Sequence, residues 1–390
     1  MSNYNFDEQI NRTNTASLKW DFVEARYGAE DLLPMWVADM DFASPKEITD
    51  ALVKRAQHPV YGYTGVSDSI YTSVINWMED QYKWKLNKED ITFSAGVVSG
   101  FTTSILALSE PGDKILIQTP VYTPFFDSVR NNGRELLLNK LHYADGTMQV
   151  DFADFEAQLQ SGVKLFLLCS PHNPGGKVWS KEDLIRMGKL CKKYNVIILS
   201  DEIHADLCLP GYTHYPIASL SEELAQITVT FMAPSKTFNV AGIQASLIIS
   251  ENKQLLKQIQ TTQFNLAFHG LNLFALEVIE AAYNNGKPWL EELRRYLQAH
   301  VETVQAFVED ELPGVACMAP EASYLVWLDC RELGFTDADL KQRMIEKGKI
   351  AISPGAMYGP GGEGFIRLNI GCTTETLQEG LKRIKRALID

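Results

Sequence analysis

Between about residue 90 and residue 250, short apolar runs alternate with segments of helical periodicity. "ITFSAG", "KILIQTP", "VKLFLLCSP", "NVIILSDE", "TVTFMAPS" and "ASLIIS" each predict a buried strand. "SGFTTSILALS" and "SKEDLIRMGKLCKKY" read as helices between them. In the second, Ser180 caps the first turn, and Leu184, Met187, Leu190, Cys191 and Tyr194 recur at helical spacing. Continuous apolar strands separated by amphipathic helices imply an α/β fold whose sheet is mostly parallel and covered on both faces.

The flanks have a different pattern. "SPKEITDAL" predicts a helix start, with Ser44 as cap, Pro45 in the first turn and Glu47 three residues on from the cap. A long helical region near 251–312 precedes "ASYLVWLD" and "GFIRLNIG", which read as strands, and "ETLQEGLKRIKRALI" is a closing helix. We therefore expect an N-terminal arm and part of a small domain over 1–50, a large domain over 51–289 and a smaller α+β domain over 290–390. A chain of 390 residues is long enough for two such cores.

Composition removes several function classes. Hydrophobic content of 45% and charged content of 22% are those of a soluble globular chain. A net charge of −13 argues against a nucleic-acid or anionic-membrane partner. The cysteines (169, 191, 208, 317, 330 and 372) show no C-x-x-C pairing, so a reduced, cytoplasmic setting is expected. "MSNYNFDEQINRTNT" lacks the basic and apolar regions of a signal peptide, and no apolar run approaches a membrane span. There is no Walker P-loop, G-x-S-x-G elbow or H-E-x-x-H helix.

One lysine raises the chemical question. "APSKTFNVAGIQAS" (233–246) follows the buried strand "TVTFM", and a charged amine at such a strand's mouth is costly to desolvate unless it is used. Open α/β sheets bind ligands beyond the carboxyl ends of their strands. Here five strand ends carry Gly96-Val97-Val98 leading into a helix, Tyr122, Asn173 in "HNPGG", Asp201 and Lys236. Singly these read as a turn glycine, a core tyrosine, a turn, a helix cap and a snorkelling lysine. Their placement along one sheet edge points to one site.

Pyridoxal phosphate (PLP) catalysis wants this set. A lysine of lowered pKa bonds the aldehyde, and a carboxylate keeps the pyridine nitrogen protonated so that the ring acts as an electron sink. An aromatic side chain stacks on the ring, and a helix N-terminus holds the phosphate.

With "SPHNPGG", "SDEIHAD", "PSKTFNVAG" and "FIRLNIG" in that order, nearly the whole chain resembles the fold-type I PLP enzymes of the class I/II aminotransferase superfamily. The resemblance implies a PLP-dependent transferase-like large domain with Lys236, Asp201 and Tyr122 as its catalytic set. Lys236 is then the Schiff-base lysine, Asp201 the pyridinium partner and Tyr122 the stacking ring. Asn173 bonds the phenolic oxygen, and Gly96, Val97, Val98 and Ser235 form the phosphate cup. Arg367 clamps the substrate carboxylate. In "YGYTG" (61–65), Tyr63, with Tyr61 as second choice, reaches a neighbouring subunit's phosphate site, which implies a homodimer.

Two departures narrow the resemblance. His204 stands where typical aminotransferases have a tyrosine that contacts the cofactor, and Gln244 where they have a phosphate-binding arginine. With "LPMWVADMDF" (33–42), the chain is similar to the MalY/PatB-type C–S lyases, the cystathionine β-lyase-like branch. The expected reaction is α,β-elimination from L-cystathionine or a related S-substituted L-cysteine, giving thiol, pyruvate and ammonia. The alternatives are a PLP-dependent aminotransferase and a PLP-fold regulatory protein. "SPGAMYGPGGEGF" (353–365) reads as a loop at the substrate mouth or as an ordinary surface loop.

Overall fold

The computed structural model describes residues 4–144 and 146–389. Its centre is a seven-stranded sheet of β1 (Ile91–Ser94), β2 (Lys114–Thr119), β3 (Glu135–Lys140), β4 (Val163–Cys169), β5 (Ile197–Asp201), β6 (Thr228–Met232) and β7 (Ser246–Ile249). The spatial order is β1-β7-β6-β5-β4-β2-β3. All pairings are parallel except those of β7, which runs antiparallel to β1 and β6. The sheet is thus mixed by one strand.

Burial explains the unbroken apolar runs. Successive strand residues face opposite sides. In β4, Leu165 and Leu167 pack with Phe101 and Ile105 of the helix Val97–Leu108. Phe166 and Leu168 pack on the other side with Leu184, Met187 and Cys191 of the helix Lys181–Lys193. A strand covered on both faces has no solvent side on which to place polar residues. The Ser180 hydroxyl accepts the Asp183 N–H at 3.0 Å, as its capping position predicts.

Ser44 differs from expectation. The helix Lys46–Gln57 begins without a side-chain cap, and the Ser44 hydroxyl donates instead to the Asn239 carbonyl at 3.1 Å. The hydroxyl serves as donor to a tertiary carbonyl and accepts no N–H of the helix's first turn, so Pro45 and not Ser44 stands at the cap position. The long helical region resolves into Lys253–Asn265, Leu273–Asn285 and Lys287–Glu311, the last running across position 290.

Toward the C-terminus, β8 (Ala316–Met318), β9 (Leu325–Asp329), β10 (Ser353–Pro354) and β11 (Phe365–Asn369) form an antiparallel sheet in the order β8-β9-β11-β10. The N-terminal arm joins this region through Leu33 and Pro34, which pair with Ile350 and Ala351. Residues 35–42 then run on in neither helix nor strand. Among the described residues, no helix is long and apolar enough to cross a membrane.

Candidate active site

Register brings the predicted residues together. Asp201, the last residue of β5, lies opposite Cys169 of β4 and Phe231 of β6. The segments after these strands, carrying Asn173, His204, Ser235 and Lys236, therefore leave the sheet at one edge. β1 points the same way, because β7 reverses direction twice over, and Gly96 begins its helix at that edge. Tyr122 follows β2, and its N–H donates to the Asn173 carbonyl at 3.1 Å.

These segments enclose a cavity of about 190 Å³. Its wall contains Gly96, Val97, Val98, Tyr122, Asn173, Asp201, His204, Ser235 and Lys236, together with Ala38, Cys169 and Ile203, which the motifs did not single out. Among the described residues, no cluster of His, Cys, Asp and Glu is arranged to hold a metal.

Arg367 adjoins the cavity from β11. One guanidinium nitrogen, Nη1, donates to Asn173 Oδ1 at 3.0 Å, and Nη2 donates to the Trp36 carbonyl at 2.8 Å. Tyr358 lies beneath it, with the guanidinium carbon 5.1 Å from the ring centroid. Its Nε is buried and has no partner among the described residues. A buried donor without an acceptor is costly, so this side of the fork suits an incoming carboxylate. The 353–365 loop thus does more than cover the surface. Tyr358 accepts the Val121 N–H through its carbonyl, and Ser353 pairs with Arg367 across the sheet.

The electrostatics suit proton chemistry near neutral pH. Burial lowers Lys236 to about 8; Arg367 adds to the fall, while Asp39 and Asp201 oppose it. Burial pushes Asp201 up to about 7, with Glu202 adding to the rise and the Ile203 N–H and Lys236 opposing it. His204 falls to about 3 through burial beside two cations, so its imidazole is neutral, and its Nδ1 has no partner among the described residues. Lys236 Nζ donates to the Ala38 carbonyl at 2.7 Å, and the Tyr324 hydroxyl donates to the same oxygen at 2.9 Å.

Tyr63 and Tyr61 stand apart from this cavity. Both are exposed on a segment without regular structure, Tyr63 fully so. The Tyr61 hydroxyl is already used within the chain, donating to the Ala56 carbonyl. Gln244 is also exposed and does not line the cavity. Sequence reasoning missed Trp36, Ala38, Ser353, Tyr324 and Tyr358. Trp36 and Ala38 act through carbonyl oxygens, which carry no residue-type signal.

The aminotransferase class I and II family model matches residues 30–384. A cystathionine β-lyase, PatB, from Bacillus subtilis (strain 168) is 49% identical over 385 residues, covering 98% of this chain and 100% of that protein. The crystal structure of a PLP-bound putative aminotransferase from Clostridium difficile 630 superposes with a TM-score of 0.97 at 41% identity, covering 99% and 100% of the two chains. A PLP-bound C–S lyase from Staphylococcus hominis gives 0.93 at 33% identity, covering 100% and 99%.

Proposed function

The chain belongs to the aminotransferase class I and II family, and from that premise we propose that it is a PLP-dependent C–S β-lyase acting on L-cystathionine or a related S-substituted L-cysteine. The single observation carrying the reading is a buried lysine of lowered pKa in one cavity with a buried carboxylate, beside an arginine that offers an unpartnered Nε.

The residues fit the cofactor. Gly96 precedes, and Val97 and Val98 open, a twelve-residue helix whose first N–H groups lack intrahelical partners, and Ser235 adds a hydroxyl. A Cβ added at Gly96 would meet nothing within 4 Å, so there is free space at this helix start. Asn173 Oδ1 is held by Arg367, which leaves its amide nitrogen to donate, as it would to the phenolic oxygen. Tyr122 would offer its ring face to the cofactor, and Asp201 would hold the proton on its pyridine nitrogen.

Bound there, PLP would supply an aldehyde for the substrate amine and a pyridinium ring as a sink for the electron pair left at Cα. Arg367 orients the substrate carboxylate through a forked pair of N–H bonds. Lys236 Nζ, as a neutral amine, takes the proton from Cα. Neutral His204 adds no charge beside the amine, whose proton affinity is set first by burial and then by Asp39, Arg367 and Asp201. The β-sulfur departs as thiolate. With one water consumed, the products are thiol, pyruvate and ammonium.

The active unit in this reading is a homodimer in which Tyr63 reaches the phosphate of the second copy. Exposed Val60, Tyr61 and Tyr63 in one short irregular segment support it, since such apolar groups are better covered. Five buried cysteines and one half-buried, all free, support a reducing cytoplasmic setting.

The test is incubation of the PLP-loaded protein with L-cystathionine and no 2-oxo acid. Pyruvate and free thiol should appear in equal, catalytic amounts, and Lys236→Ala should abolish both. If neither exceeds one equivalent and an added 2-oxo acid restores turnover, the protein is an aminotransferase.

A further inference from the structure

The stretch "WVADMD" (36–41) carries out no step of the chemistry above, yet it runs between the two groups that handle substrate. Its carbonyls are taken one after another. Trp36 accepts Arg367 Nη2, Val37 accepts Asn369 Nδ2, and Ala38 accepts Lys236 and Tyr324. Asp39 accepts Asn369 Nδ2 at 2.7 Å, and Met40 accepts Asn239 Nδ2 at 2.9 Å. Arg367 and Asn369 are two apart on β11 and so share a face. The segment is a strap tying the carboxylate-binding strand to the lysine turn.

The strap belongs to no helix or strand; its inner side is also tied by the Asp41 N–H to the Gly371 carbonyl at 2.8 Å and by the Met40 N–H to Asn239 Oδ1 at 3.0 Å. From its far side the N-terminal arm holds its side chains. Arg12 donates to both Asp39 oxygens, at 3.0 and 2.8 Å, to Asp41 Oδ1 at 2.7 Å and to the Met40 carbonyl at 3.1 Å. Lys19, only 1% exposed, donates to Asp41 Oδ2 at 2.7 Å, and Trp20 Nε1 donates to Asp41 Oδ1 at 2.9 Å. Two cations face two carboxylates, partly shielded from water, with a planar fork spanning both acids.

We infer that Arg12 is a positioning residue for substrate carboxylate binding: by clasping Asp39 and Asp41 it fixes the strap whose carbonyls hold Arg367 and Lys236. This deepens the lyase reading and rests on it for the role of Arg367. The clasp matters most during turnover. Whenever Lys236 Nζ is engaged with substrate or cofactor, the Ala38 carbonyl loses that donor and keeps only Tyr324. The outer clasp then keeps Trp36 in place against Arg367.

The experiment compares PLP-loaded wild type with Arg12→Met and Arg12→Lys. Two quantities are read: the KM and kcat for L-cystathionine, and the calorimetric Kd of 3-(methylthio)propionate, a carboxylate with no amine to react. Since a displacement of order 1 Å can cost up to about a hundredfold, Arg12→Met should raise KM and Kd about tenfold and change kcat by less than about threefold. Arg12→Lys, a point charge that cannot span both acids, should fall between. If Arg12→Met does not fold, Arg12→Lys with a wild-type unfolding temperature carries the test. An unchanged Kd and KM in a folded variant, or a fall in kcat alone, overturns the proposal. Failure of wild type to release pyruvate and thiol would sink the lyase reading instead, and the Kd comparison would still judge the clasp.

Discussion

Lys236 is buried in the cavity wall with its amine on a single carbonyl oxygen, and that burial is why it releases a proton more readily than a surface lysine. A lysine amine loses charge as pH rises, so in cofactor-free protein it should be neutral above about 8 and charged below. Competitive acetylation read by peptide mass spectrometry should give Lys236 a midpoint near 8; a midpoint at the ordinary lysine value of about 10.4 contradicts the burial argument. Arg367 makes a separate prediction. Replacing it by alanine removes at least one charge-assisted bond to the carboxylate, of about 1.5–3 kcal/mol, and should raise KM roughly ten- to a hundredfold. A KM unchanged in the steady state would show that the carboxylate binds elsewhere.

At the scale of elements, the site depends on how β11 and its preceding loop are pinned. Gly355 begins the short helical turn Gly355–Tyr358, and a Cβ there would stand 2.2 Å from the Gly362 carbonyl and 2.6 Å from the Phe365 carbonyl. Both obstacles are backbone and cannot rotate away. Gly355→Ala should therefore force the loop outward at a cost of about 1–3 kcal/mol, read by denaturant unfolding. Because Tyr358 and Ser353 contact Arg367, KM should rise as stability falls. A variant of wild-type stability and KM would show that this loop does not support the arginine.

For the whole molecule, the prediction concerns assembly. The protein should elute at twice the 43.8 kDa chain mass, and Tyr63→Phe should weaken PLP affinity more than Tyr61→Phe does, since the Tyr61 hydroxyl is spent on Ala56. A monomer with full PLP affinity would remove Tyr63 from the site. The strands and their edge chemistry were legible in the chain because each is local. Apolar runs mark buried strands, and the segment after each run marks the sheet edge, so the sequence alone puts Asn173, Asp201 and Lys236 at one edge. A helix start beside Pro45 was legible too, but not the bond of Ser44, because a hydroxyl can accept an N–H or donate to a carbonyl and only folding brought the Asn239 carbonyl to it. Tertiary structure alone decided the antiparallel insertion of β7, the seating of Arg367 on Asn173 and Tyr358, and the strap of carbonyls from Trp36 to Met40. The physical reason is common to these cases. Side-chain chemistry and periodicity are written residue by residue, whereas a backbone carbonyl is the same in every residue and gains a role only from what folding brings beside it.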